Sequence, residues 1–479
     1  MGKLSRQVGG YSEGRIMEVG RGQKLRNVIR QMPLLKKLFW VYFLLLIFEG
    51  ALRKWIFPHY SAPLLLIRDP VALFIIWEAY RTNKWPKQWS ALIGLFTAVL
   101  LSLCVLQMVA GENPWFVAMY GLRSYLLPFP VAFIMGENLN REDLRQFAVC
   151  TLWLLLPLTA LEVAQYLAPA GSPLNVGAYS GASQILYTGA HVRASGTFSY
   201  VVGPISFGPL AAAFIFYGLA SGKFVQKWLL WPAAFALLLS IPVVGARTLV
   251  FELVAVLACV GIGALFGVSQ FAQSLKIIVP ILMVAFLVTR LPVFSEAANS
   301  MSSRFTDASK SEGGVEHSFI GRTLLPITQG IEEANYSSNW MGQGMGQGAA
   351  AMSKVLIGAT VFLAGEDEFS REMFEFGPIL GVAFMLFRII LGLMIFFKAL
   401  SRARDHDPLA LLLLPLMLST LYLGVLEQTT EQGFLVIALA FSLAALKGSP
   451  ISVVPVPILN PRLRRVRYNP RPQKLADES

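Results

Sequence analysis

Long apolar runs alternate with short polar segments along most of this 479-residue chain. Many runs reach 18 residues or more, enough for a helix to cross a hydrocarbon core about 30 Å thick. Because lipid cannot hydrogen-bond an open backbone, such spans must be helical. The pattern predicts an all-α polytopic membrane helix bundle of about 12 transmembrane helices. We expect them near residues 38–56, 63–80, 89–110, 115–136, 145–167, 198–220, 227–243, 248–268, 275–292, 376–398, 408–426 and 432–447.

These spans divide the chain into five parts. A basic cytoplasmic segment (1–37) precedes transmembrane helices 1–9 (38–292), and a large external loop with short helices (293–375) precedes helices 10–12 (376–447). A basic, proline-rich cytoplasmic tail (448–479) follows. The apolar stretch "VLIGATVFLAG" in the loop is short for a span, so we predict an interfacial or re-entrant element there. A loop of this length in a compact chain is usually functional.

The distribution of charged residues along the chain predicts its orientation in the membrane. Only 14% of the residues are charged and 55% are hydrophobic, whereas a soluble domain carries about 25% charged residues. The net charge of +12 could suggest a nucleic-acid partner. However, the basic residues cluster at the two ends of the chain and in alternate short loops, as the positive-inside rule requires. We therefore expect a multi-pass protein of the bacterial inner membrane, with both termini cytoplasmic and no nucleic acid bound.

A few charges depart from this rule. Arg193, in "HVRASGTFSY", and Arg247, in "VVGARTLVF", fall in predicted external loops, where they indicate either an anionic partner or snorkelling interfacial side chains. Arg123 has no acid on its own helix and needs a partner helix or an anion. Glu49 and Arg53 are spaced to pair along one helix. Such intramembrane charges together suggest a polar cavity that opens outward.

The order of several short motifs resembles the O-antigen polymerase and O-antigen ligase superfamily. "RASGTF" precedes one helix, and "ARTL" opens a later one before the long external loop. In the loop, "GRTLLPITQGI" and "NWMGQGMGQG" are similar to the family's arginine helix and glycine-rich turn. "EFSREMFEFGPILGVAFML" is similar to the family's entry into the next helix, and "EGALRKW" and "RDP" resemble one branch of these polymerases.

This resemblance implies a substrate and a reaction. An oligosaccharide on a polyprenyl diphosphate carrier would pass to an acceptor sugar hydroxyl on the external face, for O-antigen or exopolysaccharide synthesis. The expected partners are this lipid-linked oligosaccharide, membrane lipids and a chain-length regulator. The family often has a histidine before the last large-loop helix. Here that place reads "GEDEFSRE", and the nearest loop histidine, His317, lies upstream.

The residue types indicate how such a transfer could work without a cofactor. Arginine donates bidentately to phosphate oxygens and stays protonated, so it can stabilise a departing diphosphate. Our candidates for diphosphate binding are Arg193, Arg247, Arg322 and Arg123. A carboxylate or histidine must take the acceptor's proton. Our candidates for this role are Glu368, Glu375 and His317.

Alternatives remain for metal use and for function. Glu366, Asp367 and Glu368 could bind a divalent ion, although a solvated acidic turn is the simpler interpretation and we expect no metal. "MGQGMGQG" lacks the lysine and the preceding strand of a phosphate loop, so we expect a flexible external turn. Besides a polymerase, the chain could be a ligase that moves the glycan to lipid A or protein. It could also be a flippase or carrier of lipid-linked glycans, which would favour charges spread along helices and helices broken at the midplane.

Overall fold

The computed structural model describes residues 32–111, 113–178, 191–222, 224–266, 339–349 and 368–447, and the single residues Ser295, Thr328, Glu332, Met352 and Leu356. Within these ranges the chain is helical, with no β-strand, so the predicted all-α polytopic bundle is confirmed. The longer helices are α1 (Leu34–Ala51), α2 (Arg68–Arg81), α3 (Ser90–Val109), α4 (Trp115–Leu126), α5 (Pro128–Asn138), α6 (Arg141–Leu167), α7 (Val202–Ser221), α8 (Lys227–Val244), α9 (Arg247–Leu265), α10 (Glu368–Arg404), α11 (Leu409–Tyr422) and α12 (Thr429–Leu446).

Eight helical stretches of the described residues are long and apolar enough to cross a membrane, with α4 and α5 counted as one stretch. The predicted ninth span (275–292) and most of the predicted external loop lie outside the described residues, so the count of twelve spans stays a prediction. Several helix boundaries differ from the predicted ones by four or five residues, such as the start of α2 at Arg68 rather than at residue 63. Helix α6 begins at Arg141 because Asn140 and Asp143 form a reciprocal capping box. Helix α10 consists of two helical segments that meet at Gly377, and the second segment begins close to the predicted start at residue 376.

The core is built around α12. This helix is buried along most of its length and packs against α5, α7 and α11. Close packing is possible because a small residue faces a large one, as where Gly136 of α5 meets Leu443. Helices α3 and α9 are mostly exposed, and their outward faces carry apolar side chains such as Val105 and Val254. An apolar exterior of this kind is what lipid requires.

Three helices are interrupted toward one end of the bundle. Helix α1 continues into a π-helical turn at Leu52–Ile56, and α10 bends at Gly377, whose φ of 76° favours glycine. Helix α11 has 14 residues, about 21 Å, which is less than the thickness of a hydrocarbon core. The turn that follows, residues 423–428, is largely buried, so its backbone polar groups need protein partners.

Polar contacts join the loops at each end of the bundle. At one end, which we call the site end, segments 191–201, 339–349 and 423–428 contact the interrupted helices. At the other, the basic end, Lys36 pairs with Asp143 and Gln88 contacts Glu137. The helix termini and turns at the basic end carry the lysines and arginines of the predicted cytoplasmic segments, among them Lys36, Lys37, Arg81, Lys84, Lys87, Arg141, Arg145, Lys227, Lys398, Arg402 and Arg404.

Candidate functional site

The first group of buried charges at the site end lies between α1 and α2. The carboxylate of Glu49 contacts Arg53 at 3.3 Å, which confirms the predicted pair, and Arg68 at 3.1 Å. Arg68 also donates to the carbonyl of Thr429 at the start of α12. All three charged side chains are nearly inaccessible. One carboxylate thus holds two guanidinium groups and ties α1, α2 and α12 together.

Arg123 finds its partner on another helix, one of the two alternatives left open by the sequence. Its guanidinium group lies 3.1 Å from the carboxylate of Asp69 on α2 and 4.3 Å from the ring centre of Tyr120. Two of its nitrogens, Nε and Nη2, have no hydrogen-bond partner among the described residues. Arg123 therefore keeps donors that could still bind an anion.

The "RASGTF" segment is anchored through its backbone and hydroxyl groups. The side-chain oxygen of Gln165 accepts the amides of Ser195 and Gly196, at 3.2 and 2.8 Å. Lys54 donates to the Ser195 hydroxyl at 2.6 Å, and Arg53 donates to Ser199 at 2.9 Å. Lys54 is buried and forms no ion pair with a carboxylate of the described chain. Buried cations therefore surround this segment.

Arg193 and Arg247 both lie at the turn between α8 and α9. The Nε of Arg193 donates to the carbonyl of Val244, the last residue of α8, at 3.5 Å. Arg247 is the first residue of α9, three positions further along. Both side chains are partly exposed. The structure thus places these two predicted arginines beside one turn, close to the segment that the other cations hold.

A second group of buried charges is centred on α10. Glu368 lies 3.1 Å from Arg371 and 3.6 Å from Arg388, and it accepts the amide of Leu426 at 3.1 Å. Arg388 also pairs with Glu372 and donates to the carbonyls of Leu421 and Gly424, at 2.6 and 3.1 Å. The otherwise open backbone at the end of α11 is satisfied by these side chains.

Glu375 holds the glycine-rich segment in place. Its two oxygens accept the amides of Gly346 and Gly348, at 2.9 and 2.8 Å. Gly346 has a φ of 84°, and a side chain there would collide with the backbone of Gly121 on α4. The predicted flexible turn is thus held by backbone amides and close contacts in the described residues 339–349. A carboxylate occupies the amides that a phosphate loop would offer to a ligand.

Glu427 is a buried carboxyl group that the sequence analysis missed. It lies in the turn between α11 and α12, 3.6 Å from the Nε of Arg371, and its side chain faces the carboxyl group of Glu375, with which it can share a proton. Burial and the neighbouring carboxyl group of Glu375 raise the pKa of Glu427 well above its usual value. The polar segment "EQTTEQ" between two apolar runs could have indicated this buried acid.

Some predicted site residues cannot be placed. His317, Arg322, Glu366 and Asp367 lie outside the described residues. Within the described ranges, no three or more His, Cys, Asp or Glu side chains are grouped so as to hold a metal ion. The buried carboxylates of Glu49 and Glu368 contact arginines instead.

Together, the apolar exterior and the buried charges at interrupted helices define a multi-pass α-helical membrane protein with a polar interior at one end. A comparison with family models and with characterised proteins finds no match for this chain.

Proposed function

We propose that this protein is a membrane glycosyltransferase that polymerises oligosaccharide units from a polyprenyl diphosphate carrier. The observation that carries the proposal is the concentration of arginines at the site end. Arg193 and Arg247 lie beside one turn, and Arg123 retains unpaired donors within the described structure. A lipid-linked diphosphate sits at the membrane surface, where side chains at helix ends can reach it, and arginine suits its oxygens.

In the proposed reaction, the acceptor hydroxyl oxygen attacks the anomeric carbon of the donor glycan. A new glycosidic bond forms as the bond between that carbon and the diphosphate oxygen breaks, and polyprenyl diphosphate leaves with the electron pair. Arg193, Arg247, Arg322 and Arg123 would stabilise the departing charge, which in a water-poor site is usually the largest catalytic contribution.

A base must take the proton of the acceptor hydroxyl, and the contacts of the candidates differ. Both oxygens of Glu375 accept backbone amides, and both oxygens of Glu368 contact arginines or an amide. We therefore propose that these two carboxylates position Arg371, Arg388 and the glycine-rich segment. His317 is then the first candidate for the base, since an imidazole can titrate near neutral pH.

We also propose an orientation and a location. The basic end would face the cytoplasm of a bacterial inner membrane, with both termini inside and the site end outside. The lysines and arginines gathered at that end support this orientation through the positive-inside rule. Membrane lipids and a chain-length regulator would be the further partners.

A carrier of lipid-linked glycans is the second candidate function. The interruptions at Leu52–Ile56, Gly377 and residues 423–428 favour it, because transporters commonly build their sites from broken helices at membrane depth. Charges buried between helices would suit a charged cargo equally well.

Purified protein in liposomes, supplied with a lipid-linked oligosaccharide, distinguishes these functions. A ladder of lengthened lipid-linked glycans supports the polymerase, and transfer only to added lipid A or protein supports the ligase. Movement of the substrate between leaflets without a new glycosidic bond supports the carrier. The polymerase reaction should survive excess EDTA. Loss on chelation and recovery with magnesium would instead assign Glu366, Asp367 and Glu368 to a metal site.

A further inference from the structure

A groove runs along the membrane face of the basic end, far from the charged groups at the site end. It lies between the end of α2, the connection 82–89 and the first three turns of α3, and its volume is about 1070 Å³. Sites for small molecules usually have volumes of roughly 300–1,000 Å³, so this groove can take a large ligand.

The floor of the groove is apolar and made of small side chains. Ile93, Gly94, Thr97 and Ala98 lie along one face of α3, and Leu101 continues it. This strip is about 12 Å long, at 1.5 Å per helical residue. No atom lies within 4 Å of the position where a side chain on Gly94 would begin. The groove is therefore open at Gly94, and apart from the Thr97 hydroxyl its floor offers apolar contact over that length.

The surface around the groove is apolar. Tyr80 lines the groove, and Phe74 and Trp77 lie further along α2; all three are more than half exposed, and Val105 of α3 is exposed just beyond the strip. Tryptophan and tyrosine are enriched where a membrane meets water. A ligand in this groove would thus lie among hydrocarbon chains along most of its length, with its end at the interface.

The rim of the groove is cationic. Lys87 lines the groove, and Lys84 lies in the connection between the lining residues Asn83 and Trp85. Both lysines are exposed and form no ion pair with any acid in the described ranges. Arg81 is also at the rim, where it binds the buried carboxylate of Glu78. The nearest other acid, Glu137, accepts a hydrogen bond from Gln88. The two lysines therefore leave positive charge where a lipid headgroup would be.

We propose that this groove binds an anionic glycerophospholipid. One acyl chain lies on the strip from Ile93 to Leu101, and the phosphate contacts Lys84 and Lys87. Basic pockets between helices at the interface recognise anionic headgroups in this way. A peptide or soluble metabolite would not match an apolar strip that opens sideways into lipid. The proposal does not depend on the proposed glycosyl transfer.

The test uses the full-length protein in detergent, with its melting temperature and its retained lipid measured together. We expect phosphatidylglycerol to raise the melting temperature by a few degrees and to remain bound in native mass spectrometry, unlike phosphatidylcholine with the same chains. Gly94→Leu fills the groove and should abolish both effects. Gly261→Leu is the matched control, since Gly261 is also a helical glycine with open space beside it.

The headgroup is tested by replacing Lys84 and Lys87 with glutamine, which should reduce the preference for phosphatidylglycerol. Equal stabilisation by both lipids would contradict an anionic site. An undiminished response in Gly94→Leu, with Gly261→Leu behaving like wild type, would exclude this groove. Glycerol phosphate alone should produce no shift, and a shift as large as that of the lipid would overturn the acyl-chain part of the proposal.

Discussion

Arg123 and Asp69 form an ion pair of 3.1 Å that joins α4 to α2 at the site end. Both side chains are largely buried, so loss of the acid would leave a guanidinium group in a poorly hydrated place. We expect Asp69→Asn to lower the free energy of unfolding by about 2–3 kcal/mol, less than for a fully buried pair. The measurement is chemical denaturation in detergent.

Glu142→Gln is the control for that variant. Glu142 pairs with Arg145 at an exposed position, and such pairs contribute at most about 1 kcal/mol. Equal effects of the two substitutions would show that the Arg123–Asp69 pair is no more important to stability than a surface contact.

Gly433 makes room for Arg68. A side chain added at Gly433 would collide with the Arg68 guanidinium group, which pairs with Glu49 and binds the start of α12. We therefore expect Gly433→Ala to lower the melting temperature, although alanine ordinarily stabilises a helix by about 0.5–1 kcal/mol relative to glycine. At Gly261, where nothing is near, the same substitution should be neutral or stabilising. If alanine stabilised the protein at both positions, the proposed collision with Arg68 would be contradicted.

Glu427 should make stability depend on pH. Its pKa is raised in the folded protein, so the folded state holds this proton more tightly than the unfolded chain. The contribution is complete below the ordinary glutamate pKa of about 4.3 and is lost as pH rises toward the folded value. The groups that face it are Glu375, Glu368, Arg371 and Tyr125, and Glu431 in the first turn of α12 accepts the amide of Val425 in the same turn as Glu427.

Glu427→Gln imitates the protonated acid, so the variant should not lose stability as pH rises in the way that wild type does. We expect the variant to melt at a higher temperature than wild type at roughly pH 8 and at a similar temperature near pH 5. Melting curves across this range measure the difference. A parallel decline in both proteins would mean that another group is responsible.

Features that depend on local sequence could be predicted, and features that depend on packing between helices could not. Apolar runs report burial in lipid, so the spans near residues 89–110 and 227–243 agree closely with α3 and α8. The Glu49–Arg53 pair follows from helical spacing alone. The partner of Arg123 could not be predicted, because Asp69 comes from another helix and depends on packing.

The position of Glu427 shows what hydropathy alone does not predict. Its turn is polar and lies next to an apolar run of ordinary appearance, so hydropathy placed it at a helix end near water. In the structure α11 stops at Tyr422 because Arg388 and Glu368 satisfy the following backbone groups. Glycine at position 377 similarly allows a kink that no apolar pattern encodes, so the short helical segment before it was predicted as part of the external loop.

Topology is tested by labelling single cysteines in intact cells. The native cysteines Cys104, Cys150 and Cys259 lie inside helices and would first be replaced by alanine. An impermeant reagent should modify a cysteine placed at position 311 from outside and leave one at position 401, at the basic end, unmodified until the membrane is opened. Labelling of position 401 with protection of position 311 would reverse the proposed orientation.

The arginine-based transfer is tested most directly by product formation in purified Arg193→Ala and Arg247→Ala, with Arg145→Ala as a control at the basic end. Loss of one donor to a developing anion costs roughly a hundred- to a thousandfold in rate, so each site variant should lose product to that extent. Lysine in place of either arginine should restore activity only in part, because it lacks the planar fork. The control should match wild type. Wild-type rates in both alanine variants, with all proteins folded and inserted, would contradict the central claim.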